Sequence, residues 1–219
     1  MIYTSSMKQF PKTLRTEFAI FKKINTPAHI QDFLNTLPFN FEPRGSTCRS
    51  PREVLKHNTA HCLEGAILAA AVLWYHGKHP MLLDLETPDN DTDHVVTLFK
   101  ERGHWGAVSK TNHAVLRYRD PIYKSVRELV MSYFNEYFLD NGVKTLRRYS
   151  KPFSLLQFED EWLTSNKSMW NIEDEIISSP HKSILDKKML RTLRHADSVE
   201  IEAGKIIEWK KPKRKGGWK

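Results

Sequence analysis

Cysteine is scarce in this chain, with Cys48 and Cys62 the only two among 219 residues. So few thiols, with no secretion signal ahead of them, read as free cysteines and not as a disulfide framework. The signal itself is missing, since Met1 to Gln9 holds no apolar core of signal-peptide length. No run approaches the roughly 18 apolar residues of a membrane-spanning helix. These absences predict a cytoplasmic protein with no membrane span. Internal repeats are absent too, and low complexity is confined to the C-terminal tail. No Cys-x-x-Cys pair offers a zinc site. Asp89, Asp91 and Asp93 resemble the start of a calcium loop, but that loop's glycine at position six is missing and Lys100 stands where its bidentate glutamate belongs. No cofactor is therefore expected.

What is present suits a folded protein: 40% hydrophobic, 11% aromatic and 27% charged residues, in a length that allows one good-sized domain with a modest extension. The net charge of +8 is unevenly spread. Lys205, Lys210, Lys211, Lys213, Arg214, Lys215 and Lys219 stand against Glu208 alone, so the tail carries +6 of it. That tail reads as solvated charge that aids solubility, with a weak nucleic-acid or membrane tether as the functional alternative.

The stretch that organises the chain is Asn58-Thr59-Ala60-His61-Cys62-Leu63-Glu64-Gly65-Ala66, running into an apolar segment that ends at Gly77. Its Ala/Leu content predicts a helix of about five turns, with Asn58 or Thr59 as N-cap and Gly77 as terminator. Because Ile67 to Trp74 is apolar on every side, the helix should cross the core. Cys62 then lies in the first turn, where free N–H groups and the helix dipole favour thiolate. A dipole alone contributes only ~0.3–1 kcal/mol, so a basic partner is also needed, and His94 is the candidate.

Around this helix, Pro27 to about Leu37 predicts an amphipathic helix, and Ser50-Pro51-Arg52-Glu53 a capping box that starts a short helix to His57. A further helix is expected around Thr13 to Lys23. Phe39 to Arg49 should be a loop. Met81 to Leu85 reads as a buried strand, and His94 to Glu101 and His104 to Thr111 as a hairpin about Arg102-Gly103. That turn opposes Glu101 to His104 and sets Ser109 diagonally beside His94 on one face. Asp120-Pro121 is expected to open a helix to about Phe138. Short helical pieces are expected through 143–203, around Ser154 to Thr164, Asn171 to Ile177 and Ile184 to His195, and a small hairpin over Val199 to Trp209.

Ala60-His61-Cys62-Leu63-Glu64-Gly65-Ala66, Tyr75-His76-Gly77-Lys78-His79-Pro80 before a strand, and Asp93-His94-Val95 opening another together resemble the transglutaminase-like superfamily. Thr47 to Leu55 is similar to that family's short helix before the cysteine, and the likeness spans roughly residues 26–123. The resemblance implies an α+β fold with a papain-like, transglutaminase-like core: a cysteine-bearing helix packed on an antiparallel sheet, with the loop before it as one wall of the substrate cleft. With the pattern of the remaining residues, the chain divides into a transglutaminase-like core with N-terminal helices over 1–142, a helical extension expected to pack on it over 143–203, and the basic tail over 204–219. Cys62 would be nucleophile and His94 base, with the Cys62 N–H as oxyanion donor. The family's acid follows a tryptophan by four residues, and Ser109 occupies that place after Trp105. A serine orients an imidazole without contributing charge, so Asn112 and Asp120 stay open as alternative orienters.

Zinc held by His57, His61, Cys62 and His94 is the rival use of these residues, weakened by the helix break at Asn58. The reading is thus a cysteine-dependent amide or peptide hydrolase or acyl transferase acting on a peptide or protein amide. The alternatives are a catalytically degenerate peptide-binding module and nucleic-acid binding through the tail.

Overall fold

A computed structural model describes residues 8–211 of the chain. In chain order it contains α1 (Pro27–Thr36), α2 (Pro51–His57), α3 (Cys62–Tyr75), β1 (Met81–Glu86), β2 (His94–Glu101), β3 (His104–Val108), β4 (Arg119–Tyr123) and α4 (Val126–Tyr133). There follow β5 (Arg148–Ser150), β6 (Phe153–Ser154), α5 (Trp170–Ser178), β7 (His181–Ser183), α6 (Lys187–Leu190) and α7 (Ser198–Gly204). The fold is α+β. Its seven-stranded antiparallel sheet has the order β4-β3-β2-β1-β5-β7, and β6 also pairs with β1.

Helix α3 is the axis of the larger core. Every residue from Leu63 to Tyr75 is buried, as an apolar circumference requires. It ends as its sequence demands: Gly77 has φ +78, the Gly77 N–H donates to the Trp74 carbonyl and the Lys78 N–H to the Leu73 carbonyl, both at 2.9 Å. That pair of bonds closes the last turn around a residue with no Cβ. The other end differs from expectation. Asn58 adopts the left-handed conformation that terminates α2, a parallel bridge between Phe39 and Ala60 keeps the next residues extended, and His61 becomes the N-cap. The helix is therefore 14 residues, four turns where five were expected.

The sheet separates two cores. Leu82, Val95, Phe99 and Val108 face α3, whereas Leu83, Leu85, Val96, Leu98 and Ala107 face α4. This is the alternation of a pleated strand. The hairpin register is as read from the turn: Glu101 opposes His104 and Thr97 opposes Val108, with Arg102 and Gly103 both at positive φ. β3 ends at Val108, so the chain leaves the ladder before Ser109.

Several elements depart from expectation for identifiable reasons. The helix expected over Thr13 to Lys23 resolves into two 3-10 turns, Lys12–Leu14 and Ala19–Lys23. Phe18 and Phe21 stack there at 5.0 Å, three residues apart, the spacing a 3-10 turn places on one side. Asp120-Pro121 lies in edge strand β4 instead of opening a helix, a position that tolerates a residue with no N–H. α4 starts only at the Ser125/Glu128 capping box, with Ser125 as its N-cap. The hairpin expected over Val199 to Trp209 is replaced by α7, which Asp197 and Glu200 cap reciprocally. Of the pieces expected across 143–203, Asn171 to Ile177 falls within α5, Ser154 to Thr164 forms 3-10 turns, and Ile184 to His195 is helical only in α6. The same segment also contributes β5, β6 and β7 to the sheet. In the basic tail, Lys213, Arg214, Lys215 and Lys219 lie outside the described residues.

Where α3 meets the hairpin, one glycine sets the distance. A Cβ on Gly65 would lie 2.4 Å from the Lys110 Cβ and 2.9 Å from its Cγ. Neither atom is the free end of a flexible chain, because the Lys110 ammonium is itself anchored on the Leu34 and Leu37 carbonyls of α1. Gly65→Ala is expected to destabilise the protein by about 1–3 kcal/mol through overpacking, read as a lower denaturation midpoint with unchanged slope. A midpoint equal to that of the parent chain would show that α3 and Lys110 do not approach this closely.

Candidate active site

The head of α3 is built around a buried carboxylate. Glu64 has no solvent exposure. Its oxygens accept from Thr47 Oγ1 at 2.8 Å, Asn40 Nδ2 at 3.0 Å, and the Arg49 and His61 backbone N–H groups at 3.1 and 3.2 Å. A buried ion tolerates burial only with its lone pairs filled in this way. The consequence is positional: loop 40–49 is fastened to the first turn of α3, and the Asn40 N–H adds a 3.1 Å bond to the Ala60 carbonyl. His61 reinforces the joint by donating from Nε2 to the Thr47 carbonyl at 2.8 Å.

Cys62 is half-buried at this junction and opens α3. Burial pushes its thiol up, but hydrogen bonds and charge from His61 and His94 outweigh that and bring it down to about 5. Burial likewise pushes His61 down, and the bond and charge of Cys62, the Glu64 charge and the Thr47 carbonyl carry it up to about 9. Between those two values the junction holds a thiolate beside an imidazolium. Cys48 is the opposite case: it is fully buried, donates to the Met169 carbonyl at 3.4 Å, and burial raises its thiol far above the ordinary range.

His94, 6% exposed, opens β2 and reaches Ser109 through a 2.8 Å bond between Nε2 and Oγ. The Ser109 hydroxyl has one proton, and it goes to the Leu116 carbonyl at 2.5 Å. Ser109 must therefore accept from His94, which assigns a proton to Nε2 and leaves Nδ1 as the free nitrogen. A carboxylate, which only accepts, would meet the Leu116 carbonyl with nothing to donate. Leu116 is held at φ +58, unusual for a leucine, with its own N–H bonded to Glu136 at 2.7 Å. The strained backbone sits at the end of the relay that aligns His94.

Of the other orienters considered, Asn112 exchanges two 2.9 Å hydrogen bonds with the backbone of Trp209, and Asp120 is exposed on β4. The structure thus brings together Cys62, His94 and Ser109. Of the rival zinc ligands, His57 pairs instead with Glu53 on α2 at 3.2 Å. No group of three His, Cys, Asp or Glu side chains suited to a metal occurs among the described residues.

Sequence reasoning missed three contributors. Gln31 of α1 grips Ser109 from both sides, its Nε2 donating to the Ser109 carbonyl at 2.8 Å and its Oε1 accepting the Ser109 N–H at 2.9 Å. Glu64 showed only as a residue of the resembling phrase, although Glu three places after His61 is the spacing of a capping box. His61 enters the sequence reading as a residue of that phrase and as a zinc candidate, and not as a charge partner of Cys62. All three are polar residues in apolar company, the signal that marks a buried group with a task.

A cleft of about 710 Å³ opens over Cys62 and His94. Phe39 and Phe41 line it from the loop before α2, Trp170 and Glu173 from α5, and Ile201 from α7. The C-terminal segment is laced to the far rim, with Ala114 and Ile206 joined at 2.9 Å and the Glu208 N–H on the Asn112 carbonyl at 2.9 Å. No protein-family model matches this chain, and no curated protein matches it in sequence.

The pH dependence follows from the direction of the Cys62 shift. Alkylation by iodoacetamide should rise with a midpoint near pH 5, against about 8.5 for an ordinary thiol. His61→Gln and His94→Ala should each move the midpoint upward, and Cys48 should stay unlabelled until the chain unfolds. Peptide mapping of the labelled protein checks all three, and a Cys62 profile like that of free cysteine refutes the ion pair.

Proposed function

We propose that this chain is a cysteine-dependent amide or peptide hydrolase of transglutaminase-like type, built on a papain-like core. The observation that carries the reading is the relay from the Leu116 carbonyl through Ser109 to His94 Nε2, which leaves Nδ1 for the thiol of Cys62. Four parts are required for thiol acyl transfer: a nucleophile, a base, a group that aligns the base, and donors for the oxyanion. Cys62, His94 and Ser109 take the first three roles. The first-turn amide of Cys62, which has no acceptor within its own helix, takes the fourth.

The steps then follow. The Cys62 sulfur attacks the carbonyl carbon, and the carbonyl π electrons move onto oxygen beside the Cys62 N–H. In the reactive form the proton given up by the Cys62 thiol sits on His94 Nδ1, the nitrogen that Ser109 leaves open; as the tetrahedral species collapses, the C–N bond breaks and His94 passes that proton to the departing amine. Water attacks the resulting thioester, giving its proton to His94. The C–S bond breaks, the acid leaves, and sulfur departs as the thiolate, with the proton from water held on His94 as at the start of the cycle. His61, with Glu64 at 3.6 Å and Glu42 at 3.8 Å, supplies fixed positive charge beside the sulfur throughout. Water is the acyl acceptor in this reading because no second site marks out an amine.

Hydrolysis of a fluorogenic peptide-amide library tests it. Cys62→Ala should abolish turnover, and His94→Ala should lower it by roughly 10²–10⁴. Ser109→Ala, which removes two neutral hydrogen bonds, from His94 and to the Leu116 carbonyl, should cost roughly tenfold while leaving Cys62 alkylation at neutral pH intact. Activity that survives Cys62→Ala defeats the proposal. A parent chain whose thiol alkylates as expected but which turns over no amide points instead to a peptide-binding module.

A further inference from the structure

The charge of the cleft is opposite to that of the chain. Glu42, Asp84, Asp91, Asp93, Asp140 and Glu173 all line it, in a protein of net charge +8. Of the cations that line it, His61 faces the sulfur of Cys62, and the Lys110 ammonium is turned away onto the C-terminal end of α1, at 3.1 Å from the Leu34 carbonyl and close to that of Leu37. Glu136, another lining carboxylate, is neutralised by Arg119 at 2.6 Å.

Asp84 is the unusual member. It lies on β1 with a side chain only 3% exposed. Its Oδ2 meets His181 Nε2 at 3.1 Å, while its Oδ1, also buried, has no hydrogen-bond partner among the described residues. His181 Nδ1 is 2.6 Å from the Ser179 carbonyl and must donate to it, so one further proton is shared between Nε2 and Oδ2. Burial, with the charge of Asp93 adding to it, pushes the Asp84 carboxyl above the ordinary carboxylate range. An orphaned acceptor in such a wall costs free energy unless something donates to it.

Helix α5 shapes the approach. Trp170, Glu173 and Ile177 recur at helical spacing and all face the cleft. Trp170 and Ile177 are large apolar residues at 39% and 61% exposure. Glu173 is half-buried between them, with no hydrogen bond or ion pair to its carboxylate among the described residues, and burial raises it against the opposing charge of His61. An apolar stripe carrying one free carboxylate matches a long aliphatic stem that ends in a cation.

We infer that the cleft selects a peptide amide bearing a lysine- or arginine-like side chain, with its stem on Trp170 and Ile177, Glu173 attracting the charged head and Asp84 Oδ1 accepting from it. The inference rests on the hydrolase reading for the position of the reacting amide beside Cys62. The cation is a handle and not the acyl acceptor: an attacking amine needs a free lone pair, and carboxylates that bind its ammonium form withhold it.

The test removes the thiol so that binding is read without chemistry. Full-length Cys62→Ala protein is titrated with N-acetyl-lysine N-methylamide and with the uncharged N-acetyl-norleucine N-methylamide, following backbone amide resonances. The lysine compound should bind roughly tenfold or more tighter, with shifts at α5. Glu173→Gln should cut the preference severalfold, and Asp84→Asn should remove most of the remainder. Because Asp84→Asn disturbs the His181 pair and can unfold the chain, Glu173→Gln on the open face of α5 decides the matter if it does. Equal affinity for the two compounds, no binding of either, or a preference untouched by Glu173→Gln overturns the inference. Failure here beside a normally reactive Cys62 leaves the hydrolase reading standing; a lysine preference beside an inert thiol leaves a cation-selective binding cleft and removes the enzyme.

Discussion

One buried carboxylate holds the site together. Glu64 brings a negative charge into the core at the position where α3 begins, and the surrounding chain folds to satisfy it. Four donors answer, from a side-chain amide, a hydroxyl and two backbone N–H groups, three of them on the 40–49 loop and one on the N-cap itself. Removing one donor would expose the rest to the desolvation cost of an ion, so the four act as a unit. The wall of the cleft and the mouth of the cysteine helix are thereby one object. The same carboxylate lies 3.6 Å from His61 Nε2, so the ion that fixes the geometry also sustains the charge beside the sulfur.

The second half of the site is assembled from the opposite side by α1. Gln31 holds the backbone of Ser109, and the Lys110 ammonium closes on the carbonyls at the end of the same helix. Between them β3 is stopped at Val108 and turned out of the sheet. That departure places the Ser109 hydroxyl between His94 and the Leu116 carbonyl. Gly65 allows this junction to sit directly against α3. Packing, buried polar bonds and a missing side chain thus converge on the placement of one hydroxyl. The hydroxyl in turn fixes which nitrogen of His94 is free.

The C-terminal third has a part in this that no motif announces. It completes the sheet through β5, β6 and β7, gives the cleft the α5 wall, and laces its last described turns to Asn112 and Ala114. His181, on β7, meets one oxygen of Asp84, and the other has no partner among the described residues. Apart from Asp84 on β1, the residues that would select a cationic side chain come from α5 and β7, where the sequence carries no phrase resembling a known site.

Local rules were legible without coordinates. The helix propensity and all-round apolarity of Ile67 to Trp74, the glycine that ends it, the Pro-led starts of α1 and α2, and the Arg102-Gly103 turn depend only on neighbours in sequence. The hairpin register followed from that turn by counting, which is why Ser109 could be set beside His94 before any distance was known. Only the tertiary structure decided where α3 begins, since that depended on a bridge from Phe39 to Ala60. It alone decided that Asp120-Pro121 lies on a sheet edge, and that Gln31 and Glu64 are working parts of the site. A sequence records backbone preference over a few residues. The satisfaction of a buried polar atom is settled by whatever the fold brings to it from far away, and for Glu64, Ser109 and Asp84 that was visible only when the chain had closed.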